Sequence, residues 1–145
     1  SRDPTRHESF AATIDGPATL NGHEIRTSTK ERLSDFVISM SLNGRTATSR
    51  AREVRKVIRI SRSMGSAALA LAYVANGRFD AFVQQGGLSP WDVAAAGLIA
   101  ERAGAKVTSP DGGPWFNIAT PPKAVGAMAA PPTHHAELLR RMTGR

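Results

Sequence analysis

The chain reads as an α/β protein built in layers, and three features of its sequence carry that expectation. Short apolar segments of strand length, such as Phe36 to Met40 and Phe79 to Gln84, alternate with longer stretches of helical composition, Ser66 to Asn76 and Trp91 to Ala103. Gly77 and Gly104 stand where those helical stretches stop, positions at which a left-handed cap is favourable. With 41% hydrophobic and 21% charged residues in 145, the chain can bury one real core, and nothing in its composition indicates disorder.

In order along the chain, Ser9 to Ile14 reads as a strand, Gly16-Pro17 as a turn, and Thr19 to Ile25 as the returning segment with its bend at Leu20-Asn21-Gly22. Thr27 to Leu33 is a polar link, Phe36 to Met40 a second strand, and Asn43 to Thr48 a polar loop. A basic helix follows from about Ser49, with Arg52, Arg55, Lys56 and Arg59 on one face and Val54, Val57 and Ile58 partly opposed. Next come the Ser66 to Asn76 helix, the Phe79 to Gln84 strand, the Trp91 to Ala103 helix, and a strand at Lys106-Val107-Thr108. Ser109 to Pro122, with four prolines and an Asp111-Gly112-Gly113 turn, is a loop. Ala124 to Ala129 reads as a strand and Thr133 to Met142 as a closing amphipathic helix.

Composition narrows the possible functions. The chain has no cysteine, which excludes disulfides, thiolate chemistry and Cys-based zinc sites and is compatible with a reducing cytoplasm. The apolar run Ala67 to Ala75 is about half of what a membrane span needs. A formal charge of +7 is drawn largely from Arg50, Arg52, Arg55, Lys56, Arg59 and Arg62. That run reads as the solvated face of an amphipathic helix, since interleaved aromatics for stacking bases are missing around it. Its other readings are attraction of an anionic phosphate ester or of an acidic segment.

Ser89-Pro90-Trp91-Asp92 heads the Ala-rich helix, and it is the most informative motif. Ser89 can cap, Pro90 suits the first helical position, and Asp92 falls at the third, where free N–H groups and the helix dipole favour a carboxylate. An ionised acid so fixed suits a hard divalent cation such as Mg²⁺. It is equally what an ordinary helix start requires. His134-His135 is not a metal pair, because adjacent helical residues do not share a face. Trp115-Phe116 reads as a loop anchored by aromatic burial.

From Gly65-Ser66-Ala67-Ala68-Leu69, through Tyr73-Val74-Ala75, Gly77-Arg78 and Asp80-Ala81, to Pro90-Trp91-Asp92 and Leu98-Ile99, the chain resembles the C-terminal half of the inositol monophosphatase family. Asp3-Pro4-Thr5-Arg6, Leu20-Asn21-Gly22, Ala103-Gly104 and Val107-Thr108 extend the resemblance over most of the chain. It implies the layered α/β sandwich of the inositol monophosphatase and fructose-1,6-bisphosphatase type. Residues 1–32 would be the tail of an N-terminal α+β subdomain, hairpin and linker, and residues 33–145 the C-terminal α/β subdomain. The family's upstream Gly-Glu-Glu element and Asp-Pro-Ile-Asp-Gly-Thr-like loop have no counterpart here. The expectation is therefore a C-terminal portion of a Mg²⁺-dependent phosphomonoesterase, inactive by itself, with an incomplete Mg²⁺ site. The alternative is a truncated homologue serving as a binding or scaffold module.

The resemblance also implies site roles. Asp92 would ligate the metal and touch a ring hydroxyl, while Gly65, Ser66 and Ala67 would line the sugar pocket, Ser66 also capping its helix. Many members carry a glutamate seven residues before that aspartate, and Gln85 stands there, which weakens the case for myo-inositol and favours other polyol or sugar phosphates. Arg102-Ala103-Gly104-Ala105 replaces the usual Glu-Ala-Gly-Gly. The implied partners are a small phosphate ester, the N-terminal half of the same fold and a second copy in a cytoplasmic homodimer. Membrane and nucleic acid are not expected partners.

Overall fold

The computed structural model describes residues 2–42, 47–115 and 125–144, with side chains for all of these except 2–3, 47–48, 90–92 and 125. Four short antiparallel strands form a first sheet in chain order: β1 (Arg2–Asp3), β2 (Glu8–Ala11), β3 (Thr19–Leu20) and β4 (His23–Glu24). Asn21 and Gly22 have φ of 51° and 84°, the two-residue turn whose twist matches its flanking strands. The Asn21 side chain accepts from the Ser9 N–H at 2.8 Å and donates to the His7 carbonyl at 3.3 Å, so one turn residue holds the hairpin to β2. The strand expected to reach Ile14 stops at Ala11, leaving Ile14 76% exposed in the connecting loop.

The second sheet has the order β6-β5-β7-β9-β8, built from β5 (Val37–Ser41), β6 (Ile60–Arg62), β7 (Ala81–Leu88), β8 (Lys106–Thr108) and β9 (Val125–Ala130). β6, β5 and β7 are mutually parallel, and β9 runs antiparallel to β7 and β8. Four helices cover it: α1 (Ala47–Arg55), α2 (Ala67–Ala75), α3 (Pro90–Arg102) and α4 (Pro132–Thr143). Strand alternation sorts the core. Val83, Ile38 and Met128 face α1 and α4 through Val54, Leu138 and Met142, whereas Phe82, Val107 and Ala129 face α2 and α3 through Leu71, Val74, Val93 and Ala96. The first sheet lies on the far side of α2 and α3, where Phe10 and Ala18 pack with Ala72, Tyr73 and Ile99. Covered on both sides, α2 is apolar all round, and residues 70–75 are all buried. The layered α/β architecture expected from the sequence is present.

Two polar contacts fix the layers. Arg78 donates to both carboxylate oxygens of Glu8 on β2 while its guanidinium lies 4.9 Å from the Tyr73 ring centroid. Asp80, fully buried, accepts from Lys30 Nζ at 2.8 Å and from the Val37 N–H at 2.7 Å, tying the polar link to the start of β5.

The basic helix is shorter than expected. It ends at Arg55, so Arg59 is not on its face, and Arg62 belongs to a strand absent from the sequence reading. The physical reason is competition from β5, whose first residues offer an open parallel edge. Phe36 O accepts from both Arg59 N–H and Ile60 N–H, drawing the β-branched run Val57-Ile58-Arg59-Ile60 out of the helix.

Candidate active site

β6 and β7 both run parallel to β5, and each is followed by a helix that begins beyond its C-terminal end. α2 and α3 therefore start on one side of the sheet, the end at which open α/β sheets bind ligands. A cleft of about 510 Å³ lies there, lined by Ser41 of β5, Met64, Gly65 and Ser66 ahead of α2, the first residues of α2, and Gln84, Gly87 and Leu88 of β7.

Ser66 is the N-cap of α2, and its hydroxyl oxygen accepts from the Leu69 N–H at 3.2 Å. That leaves the hydroxyl proton to donate outward. The Ala67 and Ala68 N–H groups precede the first intrahelical bond, Ala70 N–H to Ser66 O, and sit at the positive end of the helix. A Cβ at Gly65 would meet nothing within 4 Å, so this glycine contributes open space and not a close contact.

β7 supplies the opposite wall through an irregularity. Gln84 pairs with Ala127 and Leu88 with Val125, so the strand bulges between them. Gly87 has a φ of 83°. Gly126 permits the bulge, because a Cβ there would sit 2.5 Å from Gln85 O and 2.6 Å from Gln84 O. Strand alternation decides which glutamine faces the cleft, since Gln84 lies two residues beyond Phe82, which faces α2 and α3, and is still in register with β9. Gln84 is half-buried in the lining, with Nε2 donating to Gly86 O at 2.9 Å, which leaves Oε1 as an acceptor. Gln85 lies exposed beside it and is not among the lining residues. Gly86-Gly87 was the sequence signal for this bulge, since paired glycines inside a strand pattern mark one.

Asp92 is the third residue of α3, after Pro90 at its first turn and Ser89 at the N-cap. Ser89 has the extended backbone of a cap, but its hydroxyl makes no capping hydrogen bond. The Asp92 side chain lies outside the described residues. Its backbone follows Leu88 of the cleft wall by four positions, so Gly65, Ser66, Ala67 and the Asp92 turn are gathered at one end of the sheet. Among the described residues no cluster of three acids or histidines could hold a metal, and no charged side chain lines the cleft.

The histidines serve the fold. His134 packs edge-on against Phe36, ring centroids 4.9 Å apart, and its Nε2 lies 3.1 Å from Lys30 O. His135 is buried with Nε2 3.0 Å from Thr108 Oγ1, whose own proton goes to Ser109 O, so the imidazole must be the donor. Burial, and secondarily the charge of Lys106, hold the His135 pKa below the ordinary histidine value. Trp115 stacks over Gly97 of α3 and donates to Glu101 at 2.7 Å, while Phe116 lies outside the described residues. Arg102 donates to Gly16 O at 2.6 Å, a surface contact away from the cleft.

Comparison with known proteins gives the same relationship throughout. The profile of the inositol monophosphatase family matches residues 2–143. The Nus factor SuhB of Escherichia coli K12 is 38% identical over 139 residues, 88% of this chain and 52% of SuhB. The inositol-1-monophosphatase of Rhizobium meliloti is 34% identical, covering 99% of this chain and 53% of that enzyme. Among solved structures, the extragenic suppressor protein suhB of Bartonella henselae superposes with a TM-score of 0.84 at 31% identity, over 98% of this chain and 56% of that one. The Thermotoga maritima IMPase gives 0.84 at 28% identity, over 99% and 54%. The chain spans about half the length of the curated relatives it matches. It belongs to the inositol monophosphatase family.

Proposed function

We propose that the complete protein is a Mg²⁺-dependent phosphomonoesterase acting on inositol monophosphate or a related polyol or sugar phosphate. The observation that supports this reading most is the meeting of the Gly65-Ser66 helix start and the Asp92 turn at one end of the sheet, in a member of this family. Metal, when bound, polarises the phosphoryl group and lowers the pKa of the attacking water. Asp92 fits as one oxygen ligand, since a hard cation takes carboxylates and the start of α3 keeps an acid ionised. In this reading the remaining ligands come from the family's upstream motifs.

The leaving alcohol would sit against α2. The Ser66 hydroxyl and the Ala67 and Ala68 N–H groups donate to ring oxygens, Gly65 leaves room for the ring, and an amide oxygen accepts from a ring hydroxyl. In this reading Gln84 takes the acceptor role that the sequence assigned to Gln85. The first sheet and linker, residues 1–32, belong to an N-terminal subdomain, and residues 33–145 form the C-terminal one. The complete protein is read as a cytoplasmic homodimer, and no described helix is long and apolar enough to cross a membrane.

Asp92→Asn in the full-length protein should remove most Mg²⁺-dependent phosphate release. Undiminished turnover at saturating Mg²⁺ would exclude Asp92 as a ligand. The 145-residue chain alone should release no appreciable phosphate, because one carboxylate cannot hold Mg²⁺ in a defined geometry.

A further inference from the structure

Sulfur chemistry in this chain belongs to methionine alone, because there is no cysteine and the methionines number four. The fold treats three of them alike. Met40, Met128 and Met142 are 8%, 0% and 7% exposed, all in the core between the five-stranded sheet and the layer of α1 and α4. Met64 is placed differently. It is only partly buried, it packs against the apolar clusters on both sides of α2, and it lines the cleft directly ahead of Gly65 and Ser66. A molecule entering the cleft therefore meets this methionine and none of the others.

Two consequences of oxidation meet at this position. The unoxidised thioether is apolar and flexible, which suits a side chain wedged between two cores. A sulfoxide is polar, and holding it unpartnered against apolar neighbours is unfavourable. The cleft offers the alternative. There the Ser66 hydroxyl proton and the Ala67 and Ala68 N–H groups are open donors, and a sulfoxide oxygen is an acceptor.

We infer that Met64 is a reversible oxidation site whose sulfoxide oxygen occupies the donors at the head of α2 and closes them to the oxygens of a ligand. The oxidant is hydrogen peroxide. The sulfur lone pair attacks one peroxide oxygen, the O–O bond breaks, and the attacked oxygen passes its proton to the departing hydroxide, which leaves as water. Sulfur is oxidised by two electrons and the peroxide is reduced by two. Methionine sulfoxide reductases reverse the step. The oxidation site stands without the phosphatase reading, and only its effect on turnover rests on that reading.

The test exposes the 145-residue chain to limiting hydrogen peroxide and locates the sulfoxide by peptide mass spectrometry. Met64 should be oxidised ahead of Met40, Met128 and Met142, and treatment with both epimer-specific reductases should restore it. Amide hydrogen exchange at Ala67 or Ala68, read by NMR, should slow about fivefold on oxidation, the factor a typical hydrogen bond contributes. Met64→Leu keeps the packing and has no sulfur at this position, so peroxide should leave exchange at both amides unchanged. In the full-length protein, KM for inositol monophosphate should rise on oxidation, return with the reductases, and stay constant in Met64→Leu. The mapping and exchange readouts need no turnover, so a failure of the phosphatase reading does not reach them. Oxidation of any other methionine before Met64 would overturn the inference. So would unchanged exchange at both alanines in chains carrying the Met64 sulfoxide, or a KM that rises equally in Met64→Leu.

Discussion

Gly126→Ala tests whether the β7 bulge builds the cleft. A Cβ at this position would lie 2.5 Å from Gln85 O, 2.6 Å from Gln84 O and 2.5 Å from the Pro110 ring, all well inside van der Waals contact. Two of the three atoms are backbone, so no side-chain rotation relieves the clash and β7 must move away from β9 by several tenths of an ångström. Overpacking of this kind costs about 2 kcal/mol. For a chain of this size that corresponds to a drop of about 8 °C in Tm. The assay is thermal unfolding of the 145-residue chain beside Gly65→Ala, whose Cβ meets nothing within 4 Å and should leave Tm within about 2 °C. In the full-length protein both variants should raise KM, the first by displacing Gln84 and the second by filling the space in front of Ser66. A Gly126→Ala chain melting with the parent would show that β9 does not press on the bulge, and the account of Gly126 as the residue that permits the bulge would fall with it.

Three other outcomes follow from the same geometry. Gln84→Glu in the full-length protein should raise the preference for inositol monophosphate over other sugar phosphates about tenfold, near 1.4 kcal/mol, by replacing a neutral acceptor with a charged one. Gln85→Glu should not, and the reverse result in kcat/KM ratios would return the role to Gln85. His135 is held neutral in the folded chain, so as pH falls below the ordinary histidine value of 6.5 the unfolded state takes a proton that the folded state refuses. Stability is therefore lost from about pH 6.5 downward until the lowered folded value is passed, and urea midpoints should fall more between about pH 7.5 and 5.5 in the parent than in His135→Gln. Equal losses would show that His135 does not titrate between the states. Arg78→Lys keeps the charge but loses the two-pronged bond to Glu8 and the stacking on Tyr73. It should destabilise the chain by about 1 kcal/mol, a figure kept low because Arg78 is 37% exposed, and a melt matching the parent would contradict it.

Local chemistry was legible in the sequence wherever one residue's neighbours along the chain decide its conformation. Asn21-Gly22 specifies a tight turn because both residues tolerate positive φ, and Ser66 specifies a helix start because its hydroxyl reaches the Leu69 N–H. Pro90 and Gly104 likewise mark the two ends of α3 from within the sequence. The layered architecture and the family resemblance rest on such local features, as does the grouping of Gly65, Ser66 and Ala67. What the sequence could not fix are the features that depend on a partner strand. The segment after Arg55 continues the amphipathic spacing of the helix, and the open edge of β5, through Phe36 O, draws its β-branched residues into β6. The resemblance points to Gln85, seven residues before Asp92, as the acceptor. The pairing of β7 with β9 at Phe82, Val83 and Gln84, ahead of the bulge, sets Gln84 and not Gln85 among the cleft-lining residues. Strand register is a property of two chains of atoms at once, so it was decided by the tertiary structure alone.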